Sequence, residues 1–209
     1  CCIIGVCCER GSALMVGEGY RKSGRVDDPR ELRVASRGMI SDSELYHLAA
    51  RAGAALHAAG RRLATAESCT AGWIAKALTD VPGSSQWFEC GYVTYSDAAK
   101  MRDLGVAART LAEFGAVSEE TARAMAAGVL RIPQVSVALA VTGIAGPDGG
   151  TPAKPVGTVW LCASASRARG TETIAELQHF PGDRAAVRRH SVQRALELLL
   201  RLDLGTHAA

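Results

Sequence analysis

The sequence predicts an α/β protein, a three-layer α/β/α sandwich with a mixed sheet. Three observations carry that prediction. Segments of helical period alternate with short apolar runs. The run Val135 to Val141 is apolar but for Ser136, as expected of a strand covered by helices on both faces. The last two strand patterns follow each other without an intervening helix, which makes them an antiparallel hairpin.

The elements follow in order. Leu45, Leu48, Ala49, Ala52, Ala55, Leu56 and Ala59 recur at helical spacing between an Asp42/Ser43 cap and Gly60. Arg62 to Ala66 is a short strand feeding a corner at Glu67–Gly72, and a helix then runs from about Thr70 to Leu78 and stops before Pro82-Gly83. Trp87 to Tyr95, rich in aromatic and β-favouring residues, is the second strand. It delivers Tyr95 to Lys100 into a short helix ending at Gly105. Ser118-Glu119-Glu120 opens the next helix with acids in its first turn, Ala122, Met125, Ala126 and Val129 form its buried face, and Pro133 closes it. After the third strand comes a glycine-rich loop, Thr142 to Gly150. Val156 to Ala163 and Glu172 to Phe180 form the hairpin, with its turn around Ala168 to Thr171. The last helix follows Pro181-Gly182-Asp183 and turns Val192, Ala195, Leu196 and Leu199 inward.

The chain has 209 residues, 48% of them hydrophobic, enough for one full core at the usual scale of about 150 residues per domain. Residues 1–38 mix cysteine, glycine and arginine without period, and a single domain is expected over 39–205. The first segment reads as a poorly ordered or upstream extension before a start at Met39, which the intact mass of the native protein would check. Residues 1–38 hold seven basic and five acidic side chains, leaving seventeen against sixteen for the rest, so nothing points to nucleic acid or an anionic membrane surface. No apolar run approaches the roughly 18 residues of a membrane span, and no signal peptide is expected. The seven cysteines are an odd number and include the packed Cys1, Cys2, Cys7 and Cys8; with Cys69, Cys90 and Cys162 scattered, they form no disulfide framework and read as thiols of a cytoplasmic protein.

Chemistry concentrates where strands end, because ligands of open α/β sheets sit beyond the carboxyl ends of the strands. The loops Glu67–Gly72, Tyr95–Lys100 and Thr142–Gly150 should converge there. They bring Ser68, Thr70, Tyr95, Lys100 and Thr142 together with glycine backbone N–H groups. Taken alone, Ser68 or Thr70 reads first as a helix cap. Serine needs a neighbouring base to become a nucleophile, and none of His47, His57, His179, His190 or His207 lies in those loops. Only four of 24 basic residues are lysines. A lysine, unlike arginine, can lose its proton when buried, which makes Lys100 the candidate base; its alternative is a solvated helix-surface lysine. Lys154, between two prolines, reaches toward an anion or toward solvent. The glycine loop matches neither dinucleotide-binding nor P-loop patterns, so it reads as a close-approach loop or as a plain turn. No metal-ligand spacing is present, and neither a metal nor a cofactor is expected.

Thr65-Ala66-Glu67-Ser68-Cys69-Thr70-Ala71-Gly72, Val81-Pro82-Gly83-Ser84-Ser85, Gly91-Tyr92-Val93-Thr94-Tyr95-Ser96 with Lys100, Gly115-Ala116-Val117-Ser118, Thr142-Gly143-Ile144-Ala145-Gly146-Pro147 and Lys154-Pro155-Val156-Gly157-Thr158-Val159 together resemble the CinA C-terminal domain family. The match runs in order over about residues 43–203 and leaves residues 1–38 uncovered. Stand-alone members of that family are nicotinamide-nucleotide amidases. The resemblance therefore implies hydrolysis of the carboxamide of nicotinamide mononucleotide (NMN) to nicotinate mononucleotide and ammonia, a step of NAD salvage. It also implies a homo-oligomer, a dimer in the simplest case. Ser68 would attack, Lys100 would act as base with Tyr95 assisting, and N–H groups of Ser68–Gly72 would meet the oxyanion. Substrate contacts are expected from Glu67, Cys69, Thr70, Gly72, Thr142, Gly143, Gly146, Gly149 and Lys154, with the glycine loop on the 5′-phosphate. Ala71 stands where the family often has glycine, which adds a methyl group to the corner. Other readings are a non-catalytic nucleotide- or protein-binding domain of the competence/damage-inducible type, and an amidase for another small amide.

Overall fold

The computed structural model describes residues 40–205. The expectations for residues 1–38, including their four cysteines, lie outside the described residues. The elements are α1 (Asp42–Ala58), β1 (Leu63–Glu67), α2 (Trp73–Thr79), a 3-10 turn (Ser84–Gln86), β2 (Phe88–Val93), α3 (Asp97–Leu104), α4 (Ala108–Phe114), α5 (Glu119–Val129), β3 (Val137–Gly143), β4 (Thr158–Arg167), β5 (Gly170–His179) and α6 (Arg184–Arg201). They build the predicted sandwich around a mixed sheet of order β2-β1-β3-β4-β5. β1 pairs in parallel with β2 and β3, whereas β4 runs antiparallel to both β3 and β5.

Alternation along the strands separates the two cores. Val137, Leu139 and Val141 of β3 face α1, α2 and α6, while Ala138 and Ala140 face the side of α3 and α5. Large side chains thus fill one layer, and alanines let the α5 layer approach closely. Gly128 serves the same close approach, because a Cβ there would lie 2.3 Å from the Leu104 carbonyl oxygen.

Several boundaries differ from the sequence reading for local physical reasons. α1 is capped by Ser41, one residue before the expected cap. Its hydroxyl accepts the Glu44 N–H at 3.2 Å, and the Glu44 carboxylate accepts the Ser41 N–H at 2.7 Å, an arrangement worth about 1 kcal/mol. α2 begins at Trp73 instead of Thr70, because Ala71 (φ 51°) and Gly72 (φ 90°) are left-handed and bend the chain before the helix. β2 is shorter than expected since Trp87 turns inward over Gly53, where a Cβ would sit 2.4 Å from the indole. β4 continues to Arg167, so the hairpin turn tightens to Ala168 and Arg169. α4 was not legible: it has no side-chain cap and no buried residue. Cys69, Cys90 and Cys162 are free thiols. Among the described residues no helix is long and apolar enough to cross a membrane.

The topology fixes where a site forms. From β1 the chain leaves to the face of α2, and from the adjacent β2 it leaves to the opposite face of α3. Diverging connections from neighbouring parallel strands open a crevice at their carboxyl ends.

Candidate active site

That crevice is a cavity of about 210 Å³. Ser68 and Cys69 enter from the end of β1, Tyr95, Asp97 and Lys100 from β2 and α3, Ala116 and Val117 from the loop before α5, Thr142, Gly143 and Ala145 from the end of β3, and Arg184 from α6. The sheet itself holds Ser68: its N–H donates to the Val141 carbonyl at 3.0 Å, extending the β1–β3 ladder by one residue.

Lys100 is the largest fully buried side chain, at 1% exposure. Ser96 caps its helix by accepting the Ala99 N–H at 3.1 Å, which aims the first turn of α3 back under β1. The Lys100 Nζ donates to the Thr94 carbonyl at 3.0 Å and the Tyr95 carbonyl at 3.2 Å, and it lies 3.2 Å from Ser68 Oγ. Burial lowers its pKa from 10.5, against weaker opposing pulls from Asp97 and Cys69. Asp97, at 3.9 Å, is more than half exposed and compensates only in part. A neutral lysine has two N–H bonds and one lone pair. With two carbonyls taking the N–H groups, the lone pair is left for the Ser68 hydroxyl. A hydroxyl and an amine thus stand within hydrogen-bond reach, held from both sides by main chain, which is the geometry a nucleophile and its base require.

Cys69 is poorly suited to act as a nucleophile. Its thiol is 4% exposed, and burial pushes its pKa up to about 12, so it stays protonated.

Other expected contacts are placed differently. Glu67 is fully buried, and its carboxylate accepts the N–H groups of Ile74 at 3.0 Å and Ala75 at 2.8 Å with the hydroxyls of Thr70 at 2.7 Å and Thr65 at 3.3 Å. Glu67 is thus the cap of α2, the role the sequence reading gave to Ser68 or Thr70. Neither Glu67 nor Thr70 lines the cavity. Gly72 faces a different cavity of about 450 Å³ between α1 and α2. Asp42 pairs with Arg189 there and Lys76 with Asp80, so its charges neutralise each other, and no serine, threonine or cysteine lines it. Gly143 lines the crevice, whereas Gly146 and Gly149 do not. Lys154 is turned to the backbone: its amine donates to the carbonyls of Phe114 at 3.0 Å and Val117 at 2.8 Å. With the Thr142 hydroxyl donating to the Ala116 carbonyl at 2.8 Å, it ties down the Ala116–Val117 wall.

The corner's N–H groups narrow an oxyanion site. Ser68 N–H is taken by Val141, Ala71 N–H by the Ser68 carbonyl, and those of Ile74 and Ala75 by Glu67. The N–H groups of Cys69 and Thr70 donate to no oxygen among the described residues and lie beside the Cys69 sulfur.

Sequence reading missed Arg184. Its guanidinium donates to the Gly146 carbonyl at 2.9 Å and to the Tyr95 hydroxyl at 3.2 Å, joining the glycine loop to the β2 loop. A signal was present: Arg184 is the first residue of α6, after the Asp183 cap, and a cation at a helix N-terminus opposes the helix dipole. Such a local mismatch marks residues kept for another purpose. Asp97, Ala116, Val117 and Ala145 were also missed, being ordinary in type and spacing.

A family model described as the CinA C-terminal domain matches residues 45–202. The chain is 49% identical over 160 residues to the nicotinamide-nucleotide amidohydrolase PncC of Escherichia coli K12, the alignment covering 77% of this chain and 95% of that protein. It is 52% identical over 155 residues to PncC of Pseudomonas putida, covering 74% and 94%. Among solved structures, the competence/damage-inducible protein CihA of Agrobacterium tumefaciens is similar with a TM-score of 0.72 at 42% identity, covering 78% of this chain and 96% of that one.

Proposed function

Because the chain belongs to the CinA C-terminal domain family and is an amide-hydrolysing enzyme, we propose that it converts NMN to nicotinate mononucleotide and ammonia with Ser68 as nucleophile and Lys100 as base. The observation that carries this reading is the Lys100 amine, buried to 1% exposure and 3.2 Å from Ser68 Oγ with two carbonyls as its other partners.

Ser68 Oγ adds to the carboxamide carbon while its proton passes to Lys100 Nζ. The oxyanion meets the N–H groups of Cys69 and Thr70. On collapse the C–N bond breaks, the nitrogen takes the proton from Lys100 and leaves as ammonia, and an ester to Ser68 remains. Water then attacks that ester, its proton passes to Lys100 and on to Ser68 Oγ, and the carboxylate is released. Tyr95, half exposed at the mouth, orients the substrate through its contact with Arg184. Arg184 is the exposed cation on the cavity wall and is our assignment for the 5′-phosphate, in company with the glycine loop. A catalytic unit over residues 39–205, a dimeric assembly, a cytoplasmic setting and a place in NAD salvage belong to the same proposal.

Incubation of the purified protein with NMN, following ammonia and nicotinate mononucleotide, tests it. Release of both in equal amounts is expected, and a folded sample that produces neither overturns it.

A further inference from the structure

Arg188 lies one turn beyond Arg184 on α6, and it does not line the cavity. Its Nε donates to the Cys69 carbonyl at 3.1 Å and its Nη2 to the Thr70 carbonyl at 2.9 Å. The guanidinium carbon sits 5.5 Å from the centroid of the Trp73 ring, which places it against the first residue of α2. No carboxylate pairs with it among the described residues. A half-buried cation is therefore committed to two carbonyls of the turn that immediately follows the nucleophile.

Those carbonyls are not neutral choices. The Cys69 carbonyl belongs to the same peptide group as the Thr70 N–H, one of the two N–H groups assigned to the oxyanion. A cation on the carbonyl oxygen polarises the peptide and strengthens its N–H as a donor. The turn also needs restraint, because Ala71 is held at φ 51°, a left-handed conformation that is unfavourable for a residue with a Cβ. Without a clamp, Cys69 and Thr70 are free to reorient, and with them the direction of the Ser68 hydroxyl.

We propose that Arg188 is a positioning residue for Ser68: it fixes the Ser68–Ala71 turn and polarises the peptide that stabilises the oxyanion. This inference rests on the Ser68–Lys100 reading above. It concerns the acyl-transfer step and not substrate binding, so its effect falls on kcat and spares KM.

The test uses Arg188→Gln and Arg188→Lys with three readouts: kcat and KM on NMN, thermal melting, and the rate at which phenylmethanesulfonyl fluoride modifies Ser68, read by mass spectrometry. In that modification Ser68 Oγ bonds to sulfur, fluoride leaves and the hydroxyl proton passes to Lys100, so it reports the corner without reference to NMN. Arg188→Gln is expected to lower kcat about 100-fold with KM little changed and to slow sulfonylation in parallel. Arg188→Lys keeps the charge but lacks the fork, and it should recover part of both rates. Either variant reacting at the wild-type rate in both assays overturns the proposal, as does a loss that tracks only the unfolded fraction. If wild-type protein is sulfonylated at Ser68 but leaves NMN untouched, the substrate reading fails alone, and the sulfonylation rates of the variants still decide the role of Arg188. A wild type inert in both assays overturns both.

Discussion

Lys100 and Lys154 are bound to the backbone in the same manner and stand in different regions. Each amine donates to two main-chain carbonyls, those of Thr94 and Tyr95 for Lys100 and those of Phe114 and Val117 for Lys154. Around Lys100 the protein excludes water almost completely and supplies a third partner, Ser68 Oγ. Lys154 keeps access to solvent and straps a wall of the cavity from outside. Backbone ligation alone therefore makes a strap; ligation plus burial plus a hydroxyl gives the surroundings that the proposed base requires. The difference lies in what surrounds the amine, since the side chain is the same.

Replacing both lysines by methionine sharpens that comparison most. Lys100→Met should reduce kcat on NMN by roughly 10²–10⁴-fold, the usual range for loss of a general base. Lys154→Met should change kcat/KM by less than about tenfold, through a looser Ala116–Val117 wall. Equal losses in steady-state assays would erase the distinction.

The pH dependence follows from the direction of the Lys100 shift. In the proposed mechanism the neutral amine is the active form, and burial lowers its pKa from 10.5. Thus kcat/KM should rise with pH, tenfold per unit, and level off below pH 10.5; in Lys100→Met that limb disappears. Stability changes with the same sign. The unfolded chain holds this proton more tightly, so wild-type stability rises with pH between the folded pKa of Lys100 and 10.5, and the amine adds no further pH dependence below that window. A pH–rate profile still centred at 10.5 would contradict a desolvated base.

Glu67→Gln is smaller in its effect on catalysis and tests the corner's scaffold. It keeps the size of the side chain but replaces a carboxylate that accepts four hydrogen bonds. A loss of about 1–3 kcal/mol in denaturant unfolding is expected, with activity per folded molecule well above that of Lys100→Met. Ala71→Gly is the mildest change. By relieving φ 51° it should stabilise the protein by about 0.5–1 kcal/mol net of the added freedom of the unfolded chain. A lower melting temperature for this variant would show that the methyl group contributes packing the backbone geometry does not suggest.

The layers of the fold were legible because strand and helix periods alternate cleanly, and β3 announced itself as a covered strand. Ser68 and Lys100 were legible as a pair because both follow strands whose ends must converge. What escaped were roles decided by burial or by contacts distant in sequence. Glu67 looks the same in sequence whether its carboxylate faces a ligand or the N–H groups of a helix. Arg188 reaches the corner from 118 and 119 residues away, and Arg184 reaches Gly146 and Tyr95 from 38 and 89, so no local spacing could reveal either. The methyl of Ala71 is costly only because the backbone beneath it is left-handed, which residue type does not display.

The most direct measurement of the central claim is ammonia release from NMN by Ser68→Ala beside the wild type, with melting curves for both. The Ser68–Lys100 account predicts a fall of roughly 10⁴-fold or more at an unchanged melting temperature. Ammonia release by Ser68→Ala near the wild-type rate would contradict it.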